Sequence, residues 1–393
     1  MGELLYMRGV KRISIFIIFF SVLTISAGAV AAADWNVSAG DSIQNIINSA
    51  SENDTISVND NNGTAYTYTE NVVINKKINL QATSNLVTVQ ASNSKNSVFT
   101  ITSTGSGSTI QGFIINGGSD GIKVNAPNCT ISGNTIYNNI NGISVSSANT
   151  TIIGNNVTGN SRDGILVNGP SPLISGNTAT NNGWAGISIT GNNAIITSDN
   201  DVHNNNRDGI YIRGNNINLH GLTVYNNGQI GINIAGNNLT ISGNNVTGNG
   251  RDGILVNGPS PLISGNTATF NGRYGIYLEG INANITNNTF SNNGNTGLLI
   301  YSDGAIISGN TANNNNNHGM EIHGNNAAIT SDNTFTNNKN DGLRLFGTNI
   351  SLTGFNFNNN GRYGLYMEGI NANIINNTFS NNGNTGLLIY SDG

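Results

Sequence analysis

The chain repeats itself about every 22 residues, and this spacing restricts its fold more than any other feature of the sequence. A glycine precedes each short apolar segment, and successive glycines are 21, 22 or 23 residues apart. These thirteen marker glycines are Gly121, Gly142, Gly164, Gly186, Gly209, Gly231, Gly253, Gly275, Gly297, Gly319, Gly342, Gly364 and Gly386. A period of roughly 20–50 residues is typical of supersecondary units that stack on one another. The spacing therefore predicts a solenoid.

Each repeat contains two or three short segments of strand character. After the glycine, apolar residues alternate with others, as in GILV at 164–167 and GINI at 231–234, so the first and third residues share a face. A second such segment follows about ten residues later, as in LTI at 239–241. The leucine-rich repeat has a similar period, but its LxxLxLxxN pattern is absent. We therefore predict an all-β parallel β-helix with about 22 residues per coil.

Asparagine and proline occupy fixed places in the repeat. Thirteen residues after a marker glycine stand Asn134, Asn155, Asn177, Asn244, Asn266, Asn288, Asn310 and Asn377. Asparagine tolerates left-handed turn geometry, and its stacked amides can hydrogen-bond from coil to coil, so we predict a ladder at this bend. The five prolines all fall in another turn of the repeat, which cannot be a strand. The single cysteine, Cys129, lies in strand register and is predicted to be a small core residue.

Two blocks recur at a longer period. Residues 155–180 recur at 244–269 and residues 271–304 at 360–393, an offset of 89 residues in both cases (244 − 155 = 360 − 271). This offset equals four coils, and whole blocks can be duplicated because each coil contacts only its neighbours. We therefore predict regular coils over 105–393. Gly393 corresponds to Gly304, after which the first copy continues, so we expect the natural chain to extend beyond this residue.

Residues 34–104 differ in character and are predicted to form a cap and the first irregular coils. Asp41 and Gln44 have the spacing of a capping box, with Asp41 as the N-cap. Ile43, Ile46 and Ile47 follow at helical spacing. We predict a short amphipathic helix here, which covers the open end of the core.

Residues 1–33 have the form of a signal peptide, with basic residues before an apolar run and a small-residue end. An uncleaved membrane anchor is the alternative. Cleavage lowers Lys+Arg from 15 to 12 and Asp+Glu from 20 to 19, which leaves a net charge of −7 (12 − 19). An acidic body without a basic stripe excludes nucleic acid as a partner. We expect a secreted or cell-surface protein without a membrane span after signal removal.

The segment IQNIINSASENDTISV at 43–58, the segment STIQGFIINGGSDGIKV at 108–124 and the serial NNxxGIxV coils carry a family resemblance. They resemble the pectin-lyase-like superfamily of right-handed β-helices, including NosD-like proteins and the adhesin-like surface proteins of methanogenic archaea. The resemblance implies a right-handed helix. It leaves polysaccharide lyases, epimerases, esterases, adhesins and copper-maturation proteins open, because fold alone does not fix function.

Aspartates directly before marker glycines are the candidate catalytic residues: Asp163, Asp208 and Asp252. They lie two coils apart, about 10 Å at the backbone, which is wide for a shared calcium ion or a retaining glycosidase. The alternative is a turn-stabilising role, with Arg162, Arg207 and Arg251 as solvated partners. His318, Met320 and His323 are the candidate copper ligands, but their strand parity differs. We therefore predict no metal and no cofactor, with calcium and copper as the alternatives.

Outward strand positions carry the candidate ligand-binding residues. They are Tyr211, Arg213, Tyr277, Glu279, Tyr301, Arg344, Tyr366 and Glu368. Exposed aromatic side chains beside hydrogen-bonding groups suit sugar rings, although tyrosine also has a high intrinsic β propensity. We predict a non-catalytic adhesin-like protein that binds a polysaccharide, a cell-surface glycan or another surface protein. A polysaccharide lyase, hydrolase or epimerase is the first alternative, and a copper-maturation accessory is the second.

Overall fold

Short strands separated by asparagine and glycine turns wind into a helix in which each coil pairs with the next. The computed structural model describes residues 32–391, so the predicted signal peptide lies almost entirely outside the described residues. Strands pair in parallel from coil to coil, as Ile122 does with Ile143 and Ile143 with Ile165. The predicted all-β parallel solenoid is thereby confirmed.

Three sheets run along the stack. Sheet 1 contains Asp34–Val37, Thr55–Val58, Asn79–Ala82, Thr109–Gln111, Thr130–Ser132, Thr151–Ile153, Leu173–Ser175, Ile195–Ile196, Ile217–His220, Leu239–Ser242, Leu262–Ser264, Asn284–Thr286, Ile306–Ser308, Ala328–Ile329, Ser351–Thr353 and Asn373–Ile375. Sheet 2 contains Val72–Ile74, Phe99–Ile101, Asp120–Val124, Asn141–Val145, Ile165–Val167, Ile187–Ile189, Ile210–Arg213, Ile232–Ala235, Ile254–Asn257, Ile276–Glu279, Leu298–Tyr301, Met320–His323, Leu343–Phe346, Tyr363–Glu368 and Thr385–Tyr390. Sheet 3 contains Tyr66–Thr69, Val87–Gln90, Ile114–Asn116, Thr135–Tyr137, Asn156–Thr158, Thr178–Thr180, Asp201–His203, Thr223–Tyr225, Asn245–Thr247 and Thr267–Thr269. Bridges at Thr289 and Thr311 connect it to Phe335–Thr336, Asn356–Asn358 and Thr378–Ser380.

Sheet 1 has 16 strands, so the stack is longer than the thirteen marker glycines indicate. The additional coils lie at the N-terminal end, where strands such as Val72–Ile74 and Phe99–Ile101 have no marker glycine before them. The marker is needed where coils approach closely. A Cβ on Gly164 would lie 2.6 Å from the carbonyl oxygen of Gly186 and 2.7 Å from Asn182 Nδ2. Glycine is therefore required by packing at this corner.

The core lies between the three sheets and is filled by the inward residues of each strand. Ile165 and Val167 are fully buried, whereas Leu166 between them faces outward. Cys129 is also fully buried, as predicted, with its sulfur 3.3 Å from the carbonyl oxygen of Ala126. Burial raises the pKa of this thiol, which keeps it protonated.

Two asparagine ladders run along the stack. In the predicted one, Asn134 Nδ2 donates to Asn155 Oδ1 at 3.0 Å, and Asn155 donates in the same way to Asn177. The second ladder was not predicted, although an asparagine stands in its place in successive coils. It includes Asn160, which donates to Asn182 Oδ1 at 3.1 Å. These amides also bond to backbone groups, so they satisfy buried polar atoms at both bends.

The only helix among residues 32–391 is Ile43–Ser49, and Ile43 and Ile47 on it are fully buried against the end of the core. Its N-cap is Ser42, so the prediction of Asp41 was wrong. The Asp41 carboxylate instead accepts from the backbone of Ser38. Gln44 is not part of a capping box either, because its side chain bonds to the backbone of Val73 in the next coil. In the described part of the chain, no helix has the length and apolar character to cross a membrane.

Candidate functional site

A cleft of about 410 Å³ opens on the outer face of sheet 2, across four successive coils. Its lining residues are Arg162, Asp163, Leu166, Trp184, Ala185, Ser188, Arg207, Asp208, Tyr211 and Gln229. The outward residues of three paired strands form its floor, with Ser188 between Leu166 and Tyr211. Because Ser188 is small, it leaves a depression between its two larger neighbours.

Two buried carboxylates border the cleft. Asp163 is 5% exposed and Asp208 is 8% exposed. Asp163 Oδ1 accepts from the backbone N–H of Ala185 at 3.2 Å. Asp208 accepts from the backbone of Ile230 at 3.1 Å and from Asn233 Nδ2 at 2.9 Å. Burial raises the pKa of both carboxyls, while these hydrogen bonds and nearby arginines offset part of that effect.

An indole ring lies between two guanidinium groups at the rim of the cleft. The guanidinium carbons of Arg162 and Arg207 lie 4.0 and 4.8 Å from the centre of the Trp184 ring, which is within cation–π range. Trp184 remains 37% exposed. Within the described chain, arginine ion pairs are formed by Arg273, Arg344 and Arg362, and not by Arg162 or Arg207. The two guanidiniums therefore have their N–H donors available.

The structure separates the three predicted catalytic aspartates. Asp163 and Asp208 share the cleft, but Asp252 is fully buried two coils further on. There Arg273 donates to both oxygens of Asp252, at 2.7 and 2.6 Å. The predicted neighbour Arg251 is exposed and forms no ion pair with it in the part of the chain described. Asp252 is thus closed to a ligand.

Among the predicted ligand-binding residues, Tyr211 lines the cleft and Arg213 lies beside it, with its guanidinium 4.5 Å from the Tyr211 ring. The others lie further along sheet 2 in a column of rings. Tyr301, His323 and Phe346 stack at 4.5 Å, so their faces cover one another. Glu279 and Glu368 continue this row at its two ends, and Tyr277, Arg344 and Tyr366 stand in the neighbouring row of the same sheet face. We refer to the two rows together as the ring column.

Exposure along this column is uneven. Tyr301 is 43% exposed, but Tyr366 is only 9% exposed and so does not face solvent as predicted. The Arg344 guanidinium lies 4.9 Å from the Tyr366 ring and helps to cover it. The hydroxyls of Tyr277 and Tyr366 donate to Glu279 and Glu368. Much of the column is therefore bonded within itself.

The candidate copper ligands lie apart. Met320 is fully buried in the core, whereas His323 stacks outward with Tyr301 and Phe346. His318 Nδ1 lies 3.2 Å from Asp341 Oδ2. Over residues 32–391, no three histidine, cysteine, aspartate or glutamate side chains are grouped so as to hold a metal ion.

Sequence reasoning did not identify Trp184 as a site residue. The sequence does single out this residue, because the chain has only two tryptophans and Trp184 lies 21 residues after Asp163, which places it in the coil that stacks on that aspartate. Its place in the repeat, two residues before a marker glycine, is also that of Arg162 and Arg207. The three side chains therefore form one column across successive coils.

Family models for the right-handed β-helix region match residues 77–219, 111–268, 163–305 and 274–393. The chain belongs to the right-handed β-helix family, and the predicted handedness is confirmed. No curated protein sequence matches the chain.

Solved structures of similar fold include a mannuronan C-5 epimerase A-module of Azotobacter vinelandii, with 13% identity over 86% of this chain and 90% of that one, at a TM-score of 0.38. The periplasmic alginate epimerase AlgG has 14% identity over 90% and 83%, at a TM-score of 0.42. The Dettilon tailspike protein has 14% identity over 85% and 62%, at a TM-score of 0.45. At these values the likeness concerns the fold.

Proposed function

We propose that the protein is an exported glycan-binding β-helix of the adhesin-like type, and that the Trp184 cleft is its principal binding site. The observation that carries this proposal is the placement of two guanidinium groups, which have no ion pairs within residues 32–391, on either side of the exposed Trp184 indole, next to two buried carboxylates. The predicted location, secreted or on the cell surface, is part of the proposal.

The groups in the cleft have complementary uses for a saccharide. Asp163 and Asp208 can accept hydrogen bonds from the hydroxyl groups of a sugar ring. Such hydrogen bonds are strong because a carboxylate acceptor is charged. Arginine forms paired hydrogen bonds with carboxylate or sulfate groups, so Arg162 and Arg207 favour an anionic sugar. The indole offers apolar surface to the ring once a guanidinium moves from its face. An acidic polysaccharide therefore fits the cleft better than a neutral one.

Arg213, which lies against the ring of the lining residue Tyr211, extends the proposed binding surface beyond the cleft on sheet 2. The ring column from Tyr277 to Tyr366 continues in the same direction. Because its ring faces largely cover one another, we assign it a secondary role as a contact strip for a longer chain or for another surface protein.

The test is retention of residues 34–393 on a panel of acidic and neutral polysaccharides, with new reducing or unsaturated chain ends measured in parallel. We expect retention on acidic polymers, no new ends, and loss of retention on Arg162→Ala. Arg251→Ala is the matched control, since Arg251 is the exposed counterpart of Arg162 one 89-residue block later (251 − 162). Equal retention of parent and R162A would contradict the assignment of the cleft.

A polysaccharide-active enzyme is the second candidate, favoured by the raised pKa of Asp163 and of Asp208. A carboxyl with a raised pKa can serve as a general acid. Two coils separate the backbones by about 10 Å, which approaches the carboxyl separation of about 6.5–9.5 Å in inverting glycosidases. New chain ends that disappear in both Asp163→Asn and Asp208→Asn would establish this function in place of simple binding.

A further inference from the structure

Three aspartates occupy the same position in successive copies of the 89-residue repeat. Asp163, Asp252 and Asp341 are each 89 residues apart (252 − 163 = 341 − 252). Asp252 accepts from Arg273 Nε and Nη2 at 2.7 and 2.6 Å, and from the backbone of Tyr274 at 3.3 Å.

The third copy repeats this arrangement. Asp341 accepts from Arg362 Nε and Nη2, both at 2.9 Å, and from the backbone of Tyr363 at 3.2 Å. His318 adds a further contact at 3.2 Å. In both later copies, an arginine of the following coil occupies the two carboxylate oxygens.

The first copy lacks the arginine that pairs with the aspartate in the other two copies. The position of Arg273 is held by Trp184 (273 − 89), and that of Tyr274 by Ala185. The backbone bond to the carboxylate is kept, from Ala185 N–H to Asp163 Oδ1 at 3.2 Å. The paired guanidinium is lost, and Asp163 Oδ2 has no hydrogen-bond donor among residues 32–391.

A second replacement makes the space. Ser188 stands where the second and third copies have Tyr277 and Tyr366 (277 − 89 = 188). In the later copies these rings pack against Tyr274 and Tyr363, at 5.7 and 6.0 Å between centroids. In the first copy, Ser188 and Ala185 leave this volume open as part of the cleft.

The surroundings of Asp163 and Asp341 shift the pKa values of the two carboxyls in opposite directions. Burial raises the pKa of Asp163, and the neighbouring groups do not compensate fully. Burial acts in the same direction on Asp341, but the hydrogen bonds and charges of His318 and Arg362 outweigh it and lower its pKa. Among the residues that the structure describes, Asp341 therefore has a histidine and an arginine side chain as partners, whereas the Asp163 carboxyl accepts only from a backbone N–H.

We propose that Trp184 and Ser188 create the glycan site, by converting a position that elsewhere in this chain holds a closed aspartate–arginine pair into an open carboxylate beside an indole. This inference rests on the proposed function. It assigns Asp163 Oδ2 as the acceptor of a saccharide hydroxyl and restricts the chain to one such site, because Arg273 and Arg362 close the other two copies.

The test transfers the second copy into the first with the triple variant Trp184→Arg, Ala185→Tyr and Ser188→Tyr. This local sequence already folds twice in the chain, so we expect a folded variant whose thermal unfolding midpoint is no lower than that of the parent. Binding of the acidic polysaccharide retained by the parent should weaken by about tenfold or more, the effect of losing one hydrogen bond to a charged group. Leu255→Tyr, which adds a tyrosine to the same sheet face three coils away from Ser188, is the control and should bind like the parent.

A ligand-independent measurement separates this inference from the proposed function. NMR titration of the Asp163 carboxyl should give a lower pKa in the triple variant than in the parent, because the introduced guanidinium then supplies the missing charge. If the parent binds no polysaccharide, the proposed function fails, and this titration still decides whether Trp184 leaves Asp163 unpaired. A folded triple variant with parental binding, or with an unshifted Asp163 titration, would overturn the inference.

Discussion

At the scale of single residues, equivalent aspartates of this chain have opposite effects on stability. Asp341 has its pKa lowered by His318 and Arg362 despite its burial, so it stabilises the fold when ionised. Asp163 has its pKa raised by burial, so its ionised form opposes folding. Such a cost is common at functional positions, where a group is held ready for a ligand.

We predict that Asp341→Asn lowers the free energy of unfolding by about 1–3 kcal/mol at pH 7, because the Arg362 guanidinium loses its charged acceptor. The lowered pKa makes this loss largest above the normal carboxyl range, and it should shrink as the pH falls through the pKa of the folded state. Chemical denaturation of parent and variant at pH 7 and at acidic pH measures it.

Asp163→Asn is the matched comparison and should raise stability at pH 7. The raised pKa means that the contribution of Asp163 to stability is present below the unfolded pKa and is lost as the pH rises through the folded value. Asparagine removes that loss while its Oδ1 keeps the bond from Ala185. A fall in stability equal to that of D341N would contradict the description of Asp163 as unpaired.

At the scale of the element, the marker glycines and the turn glycines have different roles. A Cβ on Gly209 would lie 2.5 Å from Val224 Cγ1 and 2.7 Å from the carbonyl oxygen of Gly231. Gly133 has nothing within 4 Å of such an atom, but its φ of +62° is left-handed. The first glycine is therefore required by space and the second by backbone conformation.

We predict that Gly209→Ala destabilises the chain by about 1–3 kcal/mol, the range for overpacking a closely packed site. Gly133→Asn should change stability by less than about 0.5 kcal/mol, because asparagine tolerates left-handed backbone and the position is open. Urea unfolding followed by circular dichroism compares the two. Equal losses in the two variants would contradict the assignment of close coil packing as the reason for glycine at position 209.

How far the sequence predicts the structure also differs by element. The 22-residue period, the strand alternation and the first asparagine ladder follow from local patterns, and the structure confirms them. The N-cap was misassigned because Glu70, from another coil, accepts from the backbone of Ile43 and Gln44 and so replaces the expected local capping box. The pairing of Asp252 with Arg273 likewise joins residues 21 positions apart in sequence. Such contacts depend on which side chains the stacking brings together.

At the scale of the whole molecule, the stability of the stack is approximately a sum over its coils and the contacts between neighbouring coils. Each coil pairs with the one before and the one after, so removal of one complete four-coil block joins equivalent residues. Two such blocks, residues 155–243 and 271–359, are each 89 residues long. The first contains the whole cleft and the second contains none of it.

We predict that deletion of 155–243 leaves a folded β-helix that no longer binds acidic polysaccharide. Deletion of 271–359 should leave a molecule of the same length that still binds, because the Trp184 cleft is intact. Circular dichroism checks the fold and retention on the polymer checks binding. The opposite pattern, with binding lost only in the second deletion, would move the site to the ring column of Tyr277 and Tyr301.

The two asparagine ladders also give the molecule an electrical direction. Within each uninterrupted run, the side-chain amide donates through Nδ2 toward the following coil and presents Oδ1 toward the preceding one, as Asn134 and Asn155 do. The predicted ladder is interrupted where Leu222 and Phe355 replace asparagine. Aligned amides polarise one another, and their dipoles add along the axis as those of an α-helix do. The row from Asn139 to Asn382 has no gap, so its negative pole lies at Asn139 and its positive pole at Asn382. This row therefore favours positive charge beside its first coil and negative charge beside its last one.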